Sequence, residues 1–123
     1  MYELMVHAQF SSAHSLRGYQ GKCEALHGHN WKVEIQITAE TLDKLGMVID
    51  FKVLKQNLHH IIQRLDHKHL NDIPPFDSLN PSSENIAFYI FQELKKSLTP
   101  ERITLAKVTV WESDDSSASY SEK

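Results

Sequence analysis

The residues most able to do chemistry in this chain are grouped in the segment CEALHGHNW, which covers residues 23 to 31. It contains the only cysteine, Cys23, and two histidines, His27 and His29, with one glycine between them. If a strand extends back to these histidines, both imidazoles project from one face, about 6.6 Å apart along it. Imidazole nitrogen is a common ligand of Zn²⁺. The spacing therefore predicts a metal site, although chance could also pair two of the eight histidines in this way.

A metal ion held by these two histidines needs a third ligand, and His14 is the best candidate. It lies just beyond the first predicted strand, in FSSAHSL, and a neighbouring strand end can deliver it across the sheet. Three neutral imidazoles leave one position of a tetrahedral Zn²⁺ open, which is the pattern of a catalytic zinc rather than a structural one.

The single cysteine allows three interpretations. Cys23 could be a fourth ligand that closes a structural zinc, a small buried residue, or a thiolate that acts as a base beside the cation. With the first, the protein is a zinc-binding module without turnover; with the last, it is an enzyme. The sulfur–zinc distance discriminates between them, since a Zn–S bond is about 2.3 Å long.

Alternation of apolar and polar residues predicts the strands that carry these side chains. It is clearest over residues 31 to 39, whose apolar positions share the odd parity of His27 and His29, and a similar first strand covers residues 2 to 10. Residues 45 to 50 are predicted as a short third strand, and residues 103 to 112 as the last one.

Two helices complete the pattern. Asp50 caps a first helix whose apolar stripe reaches residue 65, and Ser82 or Ser83 starts a second helix that runs to Pro100. A turn-rich segment, residues 71 to 81, connects them. The order of strands, two helices and a strand predicts an α+β fold, with an antiparallel four-stranded sheet and both helices packed on one face.

Composition narrows the class of protein. The 123 residues, 41% of them hydrophobic, suit a single domain over residues 1–123. A net charge of −3 gives no basic field for nucleic acid. We see neither a signal peptide nor an apolar run of the ~20 residues that a bilayer span needs. One cysteine cannot form an internal disulfide. We therefore expect a cytoplasmic protein without nucleic-acid or membrane partners, with a polar, partly disordered tail at about 113–123.

Five ordered motifs make the chain similar to one known family. FSSAH, CEALHGHNW, LDHKHLND, NPSSENIA and VWES together resemble the 6-pyruvoyl-tetrahydropterin synthase and 6-carboxy-tetrahydropterin synthase family, over residues 2 to 112. The resemblance implies the tunnelling fold, in which the subunits of a trimer or hexamer join their sheets into a barrel and place active sites between neighbours. It implies a small-molecule pterin substrate and no nicotinamide or flavin.

The resemblance also implies the metal ligands and the catalytic groups. The family's zinc histidines fall on His14, His27 and His29, the same three residues that the spacing indicates, and its catalytic cysteine falls on Cys23.

Three further residues acquire roles in the same way. The family's aspartate–histidine pair falls on Asp66 and His67, which the sequence places at the end of the first helix and which would relay a proton with Cys23. Its pterin-anchoring glutamate falls on Glu112, whose two carboxylate oxygens suit the ring N–H and exocyclic amine of a pterin. Without the motifs, Glu112 would be interpreted as a solvated acid at a strand end, and adjacent helix residues such as Asp66 and His67 would point about 100° apart and need not touch.

The residues before His27 distinguish the reactions of the family. Three residues separate Cys23 from His27, which resembles the queuosine-pathway 6-carboxy-tetrahydropterin synthases; the pyruvoyl-forming synthases have five. The implied reaction converts 7,8-dihydroneopterin triphosphate to 6-carboxy-5,6,7,8-tetrahydropterin and releases acetaldehyde and triphosphate. Candidates for holding the triphosphate are Arg17, Lys22 and Lys68, any of which could instead be solvated.

Glu24 occupies a position that resembles a third branch of the family. That branch uses a glutamate two residues before the HGH to cut dihydroneopterin compounds to 6-hydroxymethyl-dihydropterin for folate synthesis. Because Cys23 and Glu24 are both present, Glu24 is a candidate second base. The alternative is an exposed acid at a strand end.

Overall fold

The computed structural model describes residues 1–21, 24–98 and 101–122. The strands and helices follow one another in this order: β1 (Tyr2–His14), β2 (His27–Ala39), α1 (Phe51–Ile62), β3 (Lys68–His69), α2 (Ser83–Ser97), β4 (Ile103–Ser113) and β5 (Ser116–Tyr120). A single turn of 3-10 helix, Leu70–Asp72, follows β3.

The sheet has the strand order β3-β1-β2-β4-β5. The pairs β1–β2, β2–β4 and β4–β5 are antiparallel, whereas β3 runs parallel to β1 and pairs with it at only two residues. The predicted α+β class, with two helices on one sheet, is confirmed. The predicted number of strands was too low, because the sheet has five and is mixed rather than wholly antiparallel.

One predicted strand is absent from the described chain: residues 45 to 50 form a turn instead. The Asp43 carboxylate accepts hydrogen bonds from the N–H groups of Leu45 and Met47, at 2.8 and 3.0 Å. Gly46 adopts φ +79°, which its missing side chain permits. These main-chain groups are satisfied within the turn, so the segment has no need of a neighbouring strand.

The predicted partly disordered tail instead forms β5 along the edge of β4. Tyr120 anchors it, with its ring centroid 4.9 Å from that of Phe88 and 5.0 Å from that of Phe91, both on α2. The polar, serine-rich composition of this segment gave no strand signal in the sequence, and the contacts of Tyr120 with α2 became evident only in the structure.

Both helices begin where their capping residues predict. The Asp50 carboxylate accepts the N–H of Lys52 at 2.9 Å, and the Ser82 hydroxyl accepts the N–H of Asn85 at 3.2 Å. Both helices end earlier than the sequence suggested: α1 ends at Ile62, and α2 at Ser97. Residues 63 to 67 therefore form a turn, and the predicted end at residue 100 lies outside the described residues.

The core lies between the two helices and one face of the sheet. The odd-numbered side chains of β2 from Trp31 to Ala39 are buried there, as are Val6 and Phe10 of β1. Residues of the same parity at the ends of these strands face the same side. None of the described helices combines the length and apolar character needed to span a membrane.

Candidate metal centre and active site

Four side chains converge at one end of the sheet. They are His14, His27, His29 and Glu112, and we call them the donor cluster. One ligand atom from each lies within 4.8 Å of the others. The residues His14 and His27 are directly opposite in the β1–β2 register, and Glu112 has the parity of the buried Val110 on neighbouring β4. Strand alternation and register therefore bring all four to the helix-covered face.

Two of the rings are oriented by main-chain carbonyl groups. Nδ1 of His14 donates to the carbonyl oxygen of Pro81 at 2.7 Å, and Nδ1 of His27 donates to that of Ala25 at 2.9 Å. A carbonyl oxygen only accepts hydrogen bonds, so the Nδ1 atoms carry the protons. In the neutral rings both Nε2 atoms then present lone pairs, and these atoms lie 3.1 Å apart. Such lone pairs repel unless a proton or a metal cation lies between them, and metal-binding histidines are held through their other nitrogen in this way.

The third ring also presents a free nitrogen. Nε2 of His29 is buried and has no hydrogen-bond partner among the described residues. It lies 2.8 Å from Oε1 of Glu112 but is not aligned for a hydrogen bond. Burial lowers the pKa of His29, while Glu112 opposes this effect and the imidazoles of His14 and His27 add to it. The neutral ring, which can donate a lone pair to a metal, is favoured.

The donor set fits a divalent transition metal. Three imidazole nitrogens and one carboxylate oxygen are all ligands that Zn²⁺ accepts, at about 2.0–2.2 Å. The convergent Nε2 atoms and the orphaned nitrogen of His29 each gain a partner when a cation is bound. The sequence predicts the three histidines as ligands but does not predict that Glu112 joins them. The signal available in the sequence was that Glu112 shares the parity of the apolar residues Val108 and Val110 on the last predicted strand.

Asp66 and His67 contact each other, but they are not part of the donor cluster. They lie in the turn after α1 rather than in the helix, and His67 has φ +55°. Nδ1 of His67 is 3.0 Å from Oδ1 of Asp66, which also accepts the N–H of Ser11 at 2.9 Å. This hydrogen bond from Ser11 contributes most to lowering the pKa of Asp66. The His67 side chain is 82% exposed, so it is available to a neighbouring molecule.

Glu24 lies beside the donor cluster rather than at an exposed strand end. Its carboxylate Oε1 is 3.8 Å from Nδ1 of His27 and accepts the N–H of Leu16 at 3.3 Å. Its own N–H donates to the Leu16 carbonyl at 2.9 Å. The predicted catalytic Cys23 lies outside the described residues.

The candidates for binding triphosphate differ in their surroundings. The guanidinium of Arg17 donates to the carbonyl oxygens of Phe76, Asn71 and Leu79, at 2.6, 3.2 and 3.4 Å. This guanidinium therefore binds the main chain of the loop over residues 71 to 79. Lys68 is exposed on β3, and Lys22 lies outside the described residues.

The chain matches a model of one protein family over nearly its whole length. Residues 3–123 match the family described as 6-pyruvoyl tetrahydropterin synthase. The chain is 38% identical over 116 residues to 6-carboxy-5,6,7,8-tetrahydropterin synthase of Synechocystis sp., covering 90% of this chain and 86% of the relative. It is 33% identical over 112 residues to dihydroneopterin monophosphate aldolase of Pyrococcus furiosus, covering 91% and 90%.

Solved structures show the same architecture. The 6-pyruvoyl tetrahydropterin synthase of Caenorhabditis elegans superposes with a TM-score of 0.85 at 26% identity, covering 99% of this chain and 96% of that one. A Plasmodium vivax 6-pyruvoyltetrahydropterin synthase, in which a catalytic glutamate was replaced by alanine, superposes with a TM-score of 0.76 at 25% identity, covering 97% and 96%.

Proposed function

We propose a reaction for this chain from the premise that it belongs to the 6-pyruvoyl tetrahydropterin synthase family. The names of its relatives indicate a pterin synthase. The proposed reaction converts 7,8-dihydroneopterin triphosphate and one water molecule to 6-carboxy-5,6,7,8-tetrahydropterin, with release of acetaldehyde and triphosphate, on the route to queuosine. The observation that carries the proposal is the convergence of three Nε2 atoms, from His14, His27 and His29, at one end of the sheet.

The metal is proposed to be Zn²⁺, held by the three histidines. When bound, it supplies positive charge that polarises the side-chain oxygens of the substrate and makes the adjacent C–H more acidic. Carbonyl oxygens of Pro81 and Ala25 keep two of the imidazoles in the tautomer that binds a cation.

The proton transfers are assigned to Cys23, Asp66 and His67. The thiolate of Cys23 removes a proton from a substrate carbon, and His67, oriented by Asp66, returns or shuttles one. The contact between His67 and Asp66, at 3.0 Å, supports this pairing. The exposure of His67 fits a site that a neighbouring subunit completes.

Glu112 is proposed to anchor the pterin through a bidentate, charge-assisted pair of hydrogen bonds. Its position 2.8 Å from Nε2 of His29 offers an alternative role as a fourth metal ligand. A site closed in this way would suit the alternative of a zinc-binding module without turnover.

A second reaction is favoured by Glu24. Its carboxylate lies 3.8 Å from Nδ1 of His27, next to the donor cluster. In this reaction the substrate side chain is cut to give 6-hydroxymethyl-dihydropterin. The chain's similarity to a dihydroneopterin monophosphate aldolase, and to a Plasmodium vivax synthase with a catalytic glutamate, supports this second reaction. A third alternative, 6-pyruvoyl-tetrahydropterin, rests on the family membership alone.

We propose that the protein acts as a cytoplasmic homo-oligomer, a trimer or a hexamer. In the described part of the chain, β1 pairs with β3 only at Ser12 and Ala13, which leaves residues 2–11 with one open edge. An open edge is a template for pairing with another chain.

The test is product analysis. The zinc-loaded protein is incubated with 7,8-dihydroneopterin triphosphate, and the products are identified by mass spectrometry. We expect 6-carboxy-tetrahydropterin together with acetaldehyde. Only 6-hydroxymethyl-dihydropterin would select the second reaction, and only 6-pyruvoyl-tetrahydropterin the third. Unchanged substrate would favour the binding module.

A further inference from the structure

Two asparagine side chains fasten the residues after β1 to the loop before α2. Oδ1 of Asn71 accepts the N–H of Ser15 at 2.9 Å, and its Nδ2 donates to the Ser15 carbonyl at 2.8 Å. In the same way, Oδ1 of Asn80 accepts the N–H of Arg17 at 2.8 Å, and its Nδ2 donates to the Arg17 carbonyl at 3.0 Å. Each amide thus satisfies both main-chain groups of one residue, as a neighbouring strand would. We call Asn71 and Asn80 the asparagine clamp.

Further hydrogen bonds hold the loop between the two clamp residues, residues 71 to 80. The Arg17 guanidinium donates to three of its carbonyl oxygens, most closely to that of Phe76 at 2.6 Å. Nδ2 of Asn85, in the first turn of α2, donates to the carbonyl of Asn80 at 2.9 Å. Asn80 therefore has partners on two sides: its side chain bonds to the Arg17 main chain after β1, and its main-chain carbonyl accepts from Asn85 of α2.

The clamp acts next to both partners of the hydrogen bond between His14 and Pro81: Asn71 binds the residue after His14, and Asn80 is the residue before Pro81. Ser15 follows His14, and Pro81 follows Asn80; Nδ1 of His14 donates to the Pro81 carbonyl at 2.7 Å. His14 is only 2% exposed, so water has little access to replace that carbonyl. By contrast, His27 is oriented by Ala25, two residues away on its own segment. Only the His14 ring depends on a carbonyl 67 residues distant in the chain.

We propose that Asn71 and Asn80 are positioning residues for His14. They hold the Pro81 carbonyl where it keeps the proton of His14 on Nδ1 and its Nε2 lone pair aimed at the donor cluster. The inference rests on the proposed metal function, because a fixed tautomer matters most when Nε2 binds a cation. Removing the direct hydrogen-bond partner of a metal-binding histidine typically changes metal affinity about 10–100-fold, and the asparagines act one step further out, on the Pro81 carbonyl.

The variants Asn71→Ala and Asn80→Ala test the proposal, with Asn57→Ala as the matched control. Asn57 is a partly exposed residue whose side chain donates to the carbonyl of Val53 within α1. Affinity for Zn²⁺ and Co²⁺ is measured by competition with a chelator, and circular dichroism monitors folding. We expect about tenfold weaker binding in the two clamp variants, the lower end of the range for a direct partner, and binding within about twofold of wild type in the control.

Long-range ¹H–¹⁵N NMR of the metal-free proteins supplies a readout that a general loss of stability would not produce. In wild type, His14 should show the Nδ1–H tautomer alone. In the clamp variants it should become a mixture of tautomers, while His27 in the same sample stays unchanged. Should the alanine variants fold poorly, Asn80→Asp keeps the volume and the acceptor for the Arg17 N–H but sets an oxygen against the Arg17 carbonyl, and the same effects are expected.

The outcomes separate the two proposals. A wild-type protein that binds neither cation overturns the metal function itself. Wild-type affinity and an unchanged His14 tautomer in the clamp variants overturn the clamp alone. Mixed tautomers of His14 in the wild-type protein overturn it as well, whatever the variants do.

Discussion

Two of the three histidine rings in the donor cluster are oriented through Nδ1, the nitrogen that faces away from the cluster. Carbonyl groups accept from Nδ1 of His14 and His27, and their Nε2 atoms are left 3.1 Å apart with lone pairs facing each other. Among the described residues no carbonyl group accepts from His29, but burial lowers its pKa and so favours its neutral form. The cluster is therefore a set of lone pairs arranged before a cation arrives, which reduces the reorganisation needed for binding.

Removing either central histidine tests the metal assignment. We expect His27→Ala and His29→Ala to lose the metal and the activity together, because two remaining imidazoles bind Zn²⁺ poorly. The fold should persist, since the buried stripe of β2 begins at Trp31. Metal content by atomic emission and melting temperature are the measurements, with the exposed His60→Ala as control. Full zinc occupancy with normal turnover in both variants would show that these residues do not hold the metal.

Glu112→Gln separates a pterin anchor from a metal ligand. As an anchor, the new amide donor faces the donors of the pterin, and substrate binding should weaken by about 1–3 kcal/mol while metal affinity is retained. As a fourth ligand, its loss should weaken metal binding instead. Both affinities are measured on the same preparation, by calorimetry for the pterin and by chelator competition for the metal. Unchanged pterin affinity would remove Glu112 from the substrate site.

Variants of Cys23 and Glu24 should separate the two proposed products. Cys23→Ala is expected to abolish 6-carboxy-tetrahydropterin with zinc still bound, because it removes the base but no ligand. Glu24→Gln should lose only 6-hydroxymethyl-dihydropterin, since glutamine can still accept the N–H of Leu16 that the carboxylate accepts. Product ratios are compared at matched zinc content. If Cys23→Ala loses both products and Glu24→Gln neither, Glu24 is not a base.

At the scale of the elements, register and parity determine which side chains meet. The β1–β2 register sets His14 opposite His27 and Ser12 opposite His29. A slip of one residue would turn the histidines of one strand to the other face of the sheet. The buried apolar residues of both strands oppose such a slip, so the core also maintains the site.

The last strand is predicted to loosen in acid. Lys95, followed by Gln92 and Tyr120, lowers the pKa of Glu122 from 4.5 to about 2. Because the folded state has the lower pKa, this contribution to stability is complete above pH 4.5 and is lost as the pH falls towards 2. Contacts of the Tyr120 ring with Phe88, followed by NMR, should weaken over that interval.

Glu122→Gln supplies the control for the acid titration, because its side chain cannot titrate. The variant should have weaker Tyr120 contacts at neutral pH and show no such change between pH 4.5 and 2. An identical acid response in both proteins would assign the effect to another carboxylate.

For the whole molecule, the proposed oligomer makes a prediction about two components of the site. The donor cluster is one component, and the pair of Asp66, which bonds to Ser11 of β1, and the exposed His67 is the other. The proposed chemistry needs both components at one substrate. Subunits that meet edge to edge would bring them together.

Subunit mixing tests this arrangement. His27→Ala and His67→Ala should each be inactive as homo-oligomers. When they are mixed in equal amounts, dissociated and reassociated, about a quarter of the sites should combine an intact metal centre with an intact His67 from a neighbour. Turnover is compared with that of each variant carried through the same procedure alone. No recovered activity, with mixed oligomers shown by mass spectrometry, would place each complete site within one chain.

Much of the fold and part of the site follow from local patterns in the sequence. Alternation identified β1, β2 and β4, and the caps at Asp50 and Ser82 set the starts of both helices, because these features depend on residues a few positions apart. The same periodicity placed His27 and His29 on one face. A short turn centred on Gly46 and a strand anchored by Tyr120 were missed, since few residues define either one.

Only the tertiary structure decided which distant groups meet. Glu112 reaches His29 through the register of β4 on β2, and the Pro81 carbonyl reaches His14 through a loop held by the asparagine clamp. Asp66 and His67 touch because the chain turns back towards Ser11 with a positive φ at His67. Periodicity specifies the face on which a side chain lies. The partners that meet across strands and loops depend on register and chain reversal, which local sequence does not encode.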